Sequence, residues 1–533
     1  MQDETSRTGD VHGAQRRDLL KLGAAALAAP VAAMLPGCAA PAGAAAGSQP
    51  AQGEITGWSA IRLSQAIQSR EVSCTEVMSA YLAQIDRMNP KVNAIVSLQP
   101  RDGLMAQAAQ RDEQLAAARR VGRAVGWMHG FPQAPKDLAN TVGIPSTQGS
   151  PILKNYMPKA DSIVVERARK AGAVLIGKTN TPEFGLGSHT YNAVFGTTGN
   201  AFDPGRSAGG SSGGAAVSLA LNMLPVADGS DMMGSLRNPA GWNNVFGFRP
   251  SSGRVPYGPT SEVFMQQLGY EGPMGRSVAD LAMLLSVQAG FDARTPLSID
   301  QDPAQFTRPL QRDFKGVRVG WMGDFNGYLP MEPGVMQTCT QALKHFETIG
   351  CTVEAVQPEF DMKKLWSTWL VLRGFFVAGI AGGMYADPQL RAQMKPEAVW
   401  EVEQGLKLGA GDVYRASMDR SAWYQALARL YTRYDYLVLP SAQMLPFDAK
   451  LTWPRSIDGK PMDTYHRWME VVVGGTLAGV PVLGVPAGFG PGGLPIGLQV
   501  MGPAQADLSV LQVGHAYEQA SGYTRRRSPL LAA

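Results

Sequence analysis

The chain has 533 residues, 45% of them apolar and 17% charged, with a formal net charge of +4. That balance suits a folded protein with a sizeable core. With so small a charge and no Lys/Arg-rich block, the sequence carries no footprint for nucleic acid.

Taken in order, the N-terminus comes first. "QRRDLLKLGAAALAAPVAAMLPGC" sets Arg16 and Arg17 before an apolar run from Leu22 to Leu35. The run is too short to span a bilayer and is flanked like a cleaved leader. The twin arginine followed by Leu19, Leu20 and Lys21 resembles a Tat-type export signal. "LPGC" resembles a lipobox, with Pro36 as a departure from that pattern. Either Cys38 is lipidated and anchors the mature chain, or the leader is cut at a small-residue site nearby. Residues 1–48 are therefore read as leader and linker, and 49–533 as a single domain that is exported, periplasmic or tethered by lipid.

Past the leader, Cys74, Cys339 and Cys351 are too few for a disulfide framework and lack metal-ligand spacing. A Cys339–Cys351 bridge is open but not required. His129, His189, His345, His466 and His515 are scattered, so neither a metal nor a cofactor is expected. Periodicity over 57–90 predicts two helices burying Leu63, Ile67, Val72, Val77, Tyr81, Leu82 and Ile85. Residues 161–180 predict a helix, a stop at Gly172 and a short buried strand, the pattern of an α/β fold with parallel pairing. "LWSTWLVLRGFFVAGIAGGMY" (365–385) is apolar, but Arg373 and four glycines argue for a core or cleft-lining helix over a membrane span. "GVPVLGVPAGF" and "LPIGLQVMG" predict two buried strands near the end.

Two motif matches fail on context. "GAVLIGKT" (172–179) fits the P-loop pattern, but its variable positions are themselves an apolar strand, and Pro182 stands where a helix should run. "GGSSG" (209–213) fits a nucleophile elbow, yet "NAFDPGRSA" before it carries no strand signal. His466 and His515 are the histidines such a hydrolase would need.

A third set of residues hangs together. "KDL" at 136–138, "AGAVLIGKTN" at 171–180, "GGSSGG" at 209–214, "GSLRNPA" at 234–240 and "GLPIGLQVMG" at 493–502 follow one another in order. In this the chain resembles the amidase signature family, from about Gly57 to Gly290 and again from Gly475 to Pro529. The resemblance implies an α/β fold with a central twisted mixed β-sheet covered by helices on both faces. It implies a Ser-Ser-Lys triad of Lys136 as base, Ser211 as relay and Ser235 as nucleophile. The oxyanion hole would be the backbone N–H groups of Met232, Met233 and Gly234, with Ser235 a further donor. Ser212, Asp231 and Arg237 would support the site. Met233 departs from the family's usual glycine, which matters if that position needs a positive φ.

The chemistry is consistent. A serine hydroxyl needs an adjacent base. A lysine at its ordinary pKa of about 10.4 is protonated at neutral pH. Lowering it by roughly three units costs about 4 kcal/mol, a shift that burial can supply. The resemblance thus implies an amide hydrolase acting through an acyl-enzyme on a small-molecule substrate. Ester or carbamate hydrolysis, an amidotransferase-like role and a non-catalytic member are the alternatives. Residues 300–470, rich in Trp and Met, would shape the pocket and favour an apolar or aromatic acyl group.

Overall fold

A computed structural model describes residues 52–265 and 267–532. The expected leader, with Arg16, Arg17 and Cys38, lies outside them. The centre of the fold is an eight-stranded sheet: β1 (Ala227–Asp231), β2 (Phe246–Arg249), β3 (Tyr270–Gly275), β4 (Arg318–Trp321), β5 (Thr352–Ala355), β6 (Tyr436–Pro440), β7 (Val482–Phe489) and β8 (Pro495–Met501). Their spatial order is β5-β4-β6-β8-β7-β2-β3-β1. The pairs β4–β5 and β4–β6 are parallel; all others are antiparallel. The sheet is mixed as expected, and the parallel pairing inferred from residues 161–180 appears outside it. There Pro132–Gln133 pairs in parallel with Val174–Leu175.

Helices cover both faces, because neighbouring strand residues point opposite ways. On β7, Leu483 packs against Gly514 of the helix Asp507–Ser521, while at Gly484 the backbone of Arg237, in the helix Arg237–Trp242, comes so close that a Cβ would lie 2.9 Å from it. β6 alternates likewise: Tyr436 and Val438 enter one core cluster, Leu437 and Leu439 the other. The two N-terminal helices form at Ala60–Ser69 and Cys74–Val92 and bury every residue expected of them. Cys74, Cys339 and Cys351 are all free and buried, so the Cys339–Cys351 bridge does not form.

The apolar stretch becomes the helix Met362–Ala386, long and apolar enough by composition to cross a membrane. It packs instead against the helices Pro396–Leu406 and Ala410–Tyr431. Arg373, the residue that argued against a span, is buried against Glu401.

The helix Arg237–Trp242 presses on β8 through paired glycines. A Cβ on Gly497 would lie 2.6 Å from the Gly241 Cα and 2.6 Å from Ser441 Oγ. Gly497→Ala is expected to cost about 1–3 kcal/mol by overpacking, read as a lower melting temperature.

Candidate active site

Ser230 and Asp231 end β1, the edge strand of the sheet, and the chain then turns through Met232–Ser235 into the helix Arg237–Trp242. Lys136 follows the short strand Pro132–Gln133, bridges Thr179, and donates its backbone N–H to Asp228 Oδ2 at 3.0 Å. Ser211 and Ser212 immediately precede the helix Gly213–Ala220. The glycine density around them follows from crowding. Gly209 has φ +74°, and a Cβ on Gly214 would meet the Asn180 nitrogen at 2.4 Å.

These three segments converge on the Lys136 amine, whose residue is 1% exposed. Its Nζ lies 2.7 Å from Ser211 Oγ, 3.0 Å from Ser212 Oγ and 3.0 Å from Ser230 Oγ. Burial pulls the Lys136 pKa down to about 7, against the opposing pull of Asp231, Asp228 and Glu271. Burial also lifts Glu271, helped by Asp228, to about 8, which reduces that opposing charge near neutrality. Ser230 stands where the resembled family often has threonine, also a hydroxyl, but its contact with the Lys136 amine is seen only in the folded chain.

Ser211, Ser230, Met232, Met233 and Ser235 line one cavity of about 460 Å³. Ser235 and Ser211 share this cavity, but their hydroxyls form no hydrogen bond with each other in this arrangement. Contacts of this kind commonly tighten only when substrate is bound.

The turn itself is held from behind. Asp231 Oδ1 accepts from the Gly234 N–H at 2.9 Å and Oδ2 from the Leu236 N–H at 3.1 Å. Arg237 grips the same carboxylate through Nε at 3.0 Å and Nη2 at 2.9 Å. Its remaining donors reach Val472 O, Gln499 Oε1 and Thr476 Oγ1, so all five are used. Burial works against ionised Asp231, but Arg237 and Arg249 overcome it and hold the carboxyl well below its usual range. The positive φ of the turn falls on Gly234, at +77°, and Met233 keeps an ordinary negative φ. Methionine in place of glycine therefore strains nothing. The Gly234 N–H is engaged by Asp231, leaving Met232, Met233 and Ser235 as backbone donors bordering the cavity.

The other motifs resolve plainly. Lys178 of the P-loop match is buried, its Nζ bonded to Ala139 O and to Thr141 Oγ1. No strand of the central sheet leads into "GGSSG". His515 lies 4.0 Å from Glu518. His466 borders the cavity without bonding to either serine. None of the tryptophans borders it: Trp366, Trp369, Trp423 and Trp468 pack in the core behind, and the wall is Phe184, Phe375, Phe376 and methionines. Among the described residues no cluster of three or more His, Cys, Asp or Glu could hold a metal ion.

Removing one partner of a buried ion pair leaves the other charge stranded, at about 3–5 kcal/mol. Arg237→Ala is expected to lose that much in chemical denaturation. Arg206→Ala, which removes an exposed pair with Asp203, is expected to change stability by about 0.5 kcal/mol or less.

Comparison with known proteins identifies the family and the fold. The Amidase family model matches residues 76–511. A glutamyl-tRNA(Gln) amidotransferase subunit of Thermosynechococcus vestitus is 34% identical, covering 86% of this chain and 97% of its own. An acylamidase of Rhodococcus erythropolis is 31% identical over 86% of this chain and 94% of its own. The crystal structure of a bacterial aryl acylamidase of the amidase signature family superposes with a TM-score of 0.80 at 29% identity, covering 88% and 98% of the two chains. A peptide amidase from Stenotrophomonas maltophilia superposes with a TM-score of 0.71 at 28% identity, covering 89% and 98%. A family model that spans most of the sequence, relatives matched nearly end to end and a shared sheet architecture make one statement: the chain belongs to the amidase signature family.

Proposed function

We propose that this protein hydrolyses carboxylic amides through an acyl-enzyme on Ser235, with Ser211 as relay and Lys136 as base. The observation that carries this reading is the buried Lys136 amine, 2.7 Å from Ser211 Oγ, at the edge of a cavity that Ser235 also lines. A lysine with a pKa near 7 is substantially neutral at physiological pH. Its lone pair accepts the Ser211 proton while Ser211 accepts that of Ser235, whose oxygen attacks the amide carbon. The N–H groups of Met232, Met233 and Ser235 are the donors for the developing oxyanion. When the tetrahedral intermediate collapses, the proton returns through Ser211 to the leaving nitrogen, and water then releases the acid. The acylamidase, aryl acylamidase and peptide amidase relatives support amide substrates. Esters and carbamates suit the same chemistry. The amidotransferase relatives support a second reading, in which the site acts beside partner chains. The resemblance of residues 16–21 to a twin-arginine export signal supports a free-standing enzyme outside the cytoplasm, either soluble or tethered through Cys38.

Two measurements test the triad. A fluorophosphonate is expected to label Ser235, mapped by peptide mass spectrometry, and Lys136→Ala to abolish labelling and lower kcat by roughly 10²–10⁴-fold. Labelling at another residue, or undiminished in Lys136→Ala, overturns the assignment. The base works only when unprotonated. kcat/KM is therefore expected to rise about tenfold per pH unit below the Lys136 pKa of about 7 and to level above it.

A further inference from the structure

One wall of the cavity is not apolar. Arg373, midway along the helix Met362–Ala386, is buried there. Its Nε binds Glu401 Oε1 at 2.5 Å and its Nη2 the Tyr465 hydroxyl at 2.7 Å, which in turn donates to Glu401 Oε1 at 2.7 Å. Nη1 has a different partner, the thioether of Met232 at 3.7 Å. A sulfur is a weak acceptor for a guanidinium N–H, and Met232 belongs to the turn that carries Ser235. Beside it His466 is 1% exposed, borders the same cavity, and leaves both ring nitrogens without a partner. Around that imidazole stand the rings of Trp366, Trp400 and Tyr465, with Arg373 and Arg467 as the nearby charges. Burial and those two cations keep it neutral, offering one N–H and one lone pair.

A buried donor and a buried imidazole without proper partners, in the wall of one cavity, are costly unless a ligand satisfies them. Their side of the scissile bond follows from the proton path. The leaving nitrogen sits toward Ser211, which returns the proton, and Arg373 reaches the turn at Met232 instead, so the acyl part is the portion of the substrate assigned to this wall. The charge of Arg373 is already balanced by Glu401, so the pair suits an uncharged acceptor over a carboxylate.

We propose that Arg373 Nη1 and His466 form an acyl-side subsite for an uncharged oxygen acceptor, such as a ketone or amide carbonyl, carried on the acyl chain of the substrate. This rests on the hydrolase reading above and narrows the apolar acyl group expected from sequence. Selectivity of this kind is asymmetric: a site built to bond a polar group rejects the analogue that lacks it far more strongly than an apolar site rejects an added methylene.

The test is a matched pair of anilides, levulinoyl and pentanoyl p-nitroanilide, which differ by a ketone carbonyl in place of a methylene. The wild-type kcat/KM is expected to favour the levulinoyl substrate by about tenfold or more. In His466→Phe, whose ring fits the aromatic surroundings, and in Arg373→Met, the ratio is expected to fall to near one, with folding checked by melting temperature. Equal rates in wild type, or a preference kept by both variants, overturn the subsite while leaving the hydrolase intact. Hydrolysis of neither substrate by a protein that also resists fluorophosphonate overturns the hydrolase reading and the subsite with it.

Discussion

An amine buried to 1% exposure is the constraint around which the site is arranged. An ammonium at that depth would need charge partners close by, and Lys136 has hydroxyls instead: Ser211, Ser212 and Ser230. Hydroxyls satisfy a neutral amine by accepting its N–H bonds and donating to its lone pair, but they compensate a full charge poorly. Of the three carboxylates near enough to matter, burial lifts Glu271 to about 8 and so removes much of its charge near neutrality, and the other two are occupied. Asp231 is committed to Arg237 and Arg249, and Asp228 binds the Lys136 backbone N–H and Gln133. Burial therefore prevails and brings the Lys136 pKa down to about 7, as the proposed role of base requires.

The Asp231–Arg237 pair does for Ser235, the proposed nucleophile, what burial does for Lys136, the proposed base. One carboxylate closes the turn through the N–H groups of Gly234 and Leu236, and the guanidinium ties it to Val472, Gln499 and Thr476. Residues more than two hundred positions downstream thereby fix the residues that carry Ser235. The Gly234 N–H is used in building the turn, so an oxyanion must be met by its neighbours. A site held this way is pre-organised by the fold, which is the condition for electrostatic stabilisation of a transition state.

The cavity joins two kinds of wall. The edge strand and the turn after it bring Ser230 and Ser235, the loop before the helix Gly213–Ala220 brings Ser211, and the helix Met362–Ala386 brings Phe375, Phe376, Val377 and Arg373. That helix has the apolarity of a membrane segment because it faces both a core and the cavity. One buried arginine, matched by Glu401, sets its polar point.

The family, and the residues proposed here as the reacting groups, are legible in the residues alone. Lys136, Ser211 and Ser235 stand in short motifs whose order is diagnostic, and the buried faces of the N-terminal helices follow from period alone. Rejecting "GAVLIGKT" and "GGSSG" also needs only the neighbouring residues, because a strand inside a loop motif and a loop before an elbow are local contradictions. The long-range matters belong to the folded chain. The strand order, with five of seven pairings antiparallel, depends on crossovers that no local pattern encodes. Ser230 as a third hydroxyl on the base, the engagement of the Gly234 N–H and the ordinary φ of Met233 depend on where neighbouring segments press. The tryptophans of 300–470 signal burial, and only packing could assign that burial to the core and the cavity wall to phenylalanine and methionine. A sequence records which groups are present; the distance between Lys136 and Ser211, 75 residues apart, is set by the whole fold.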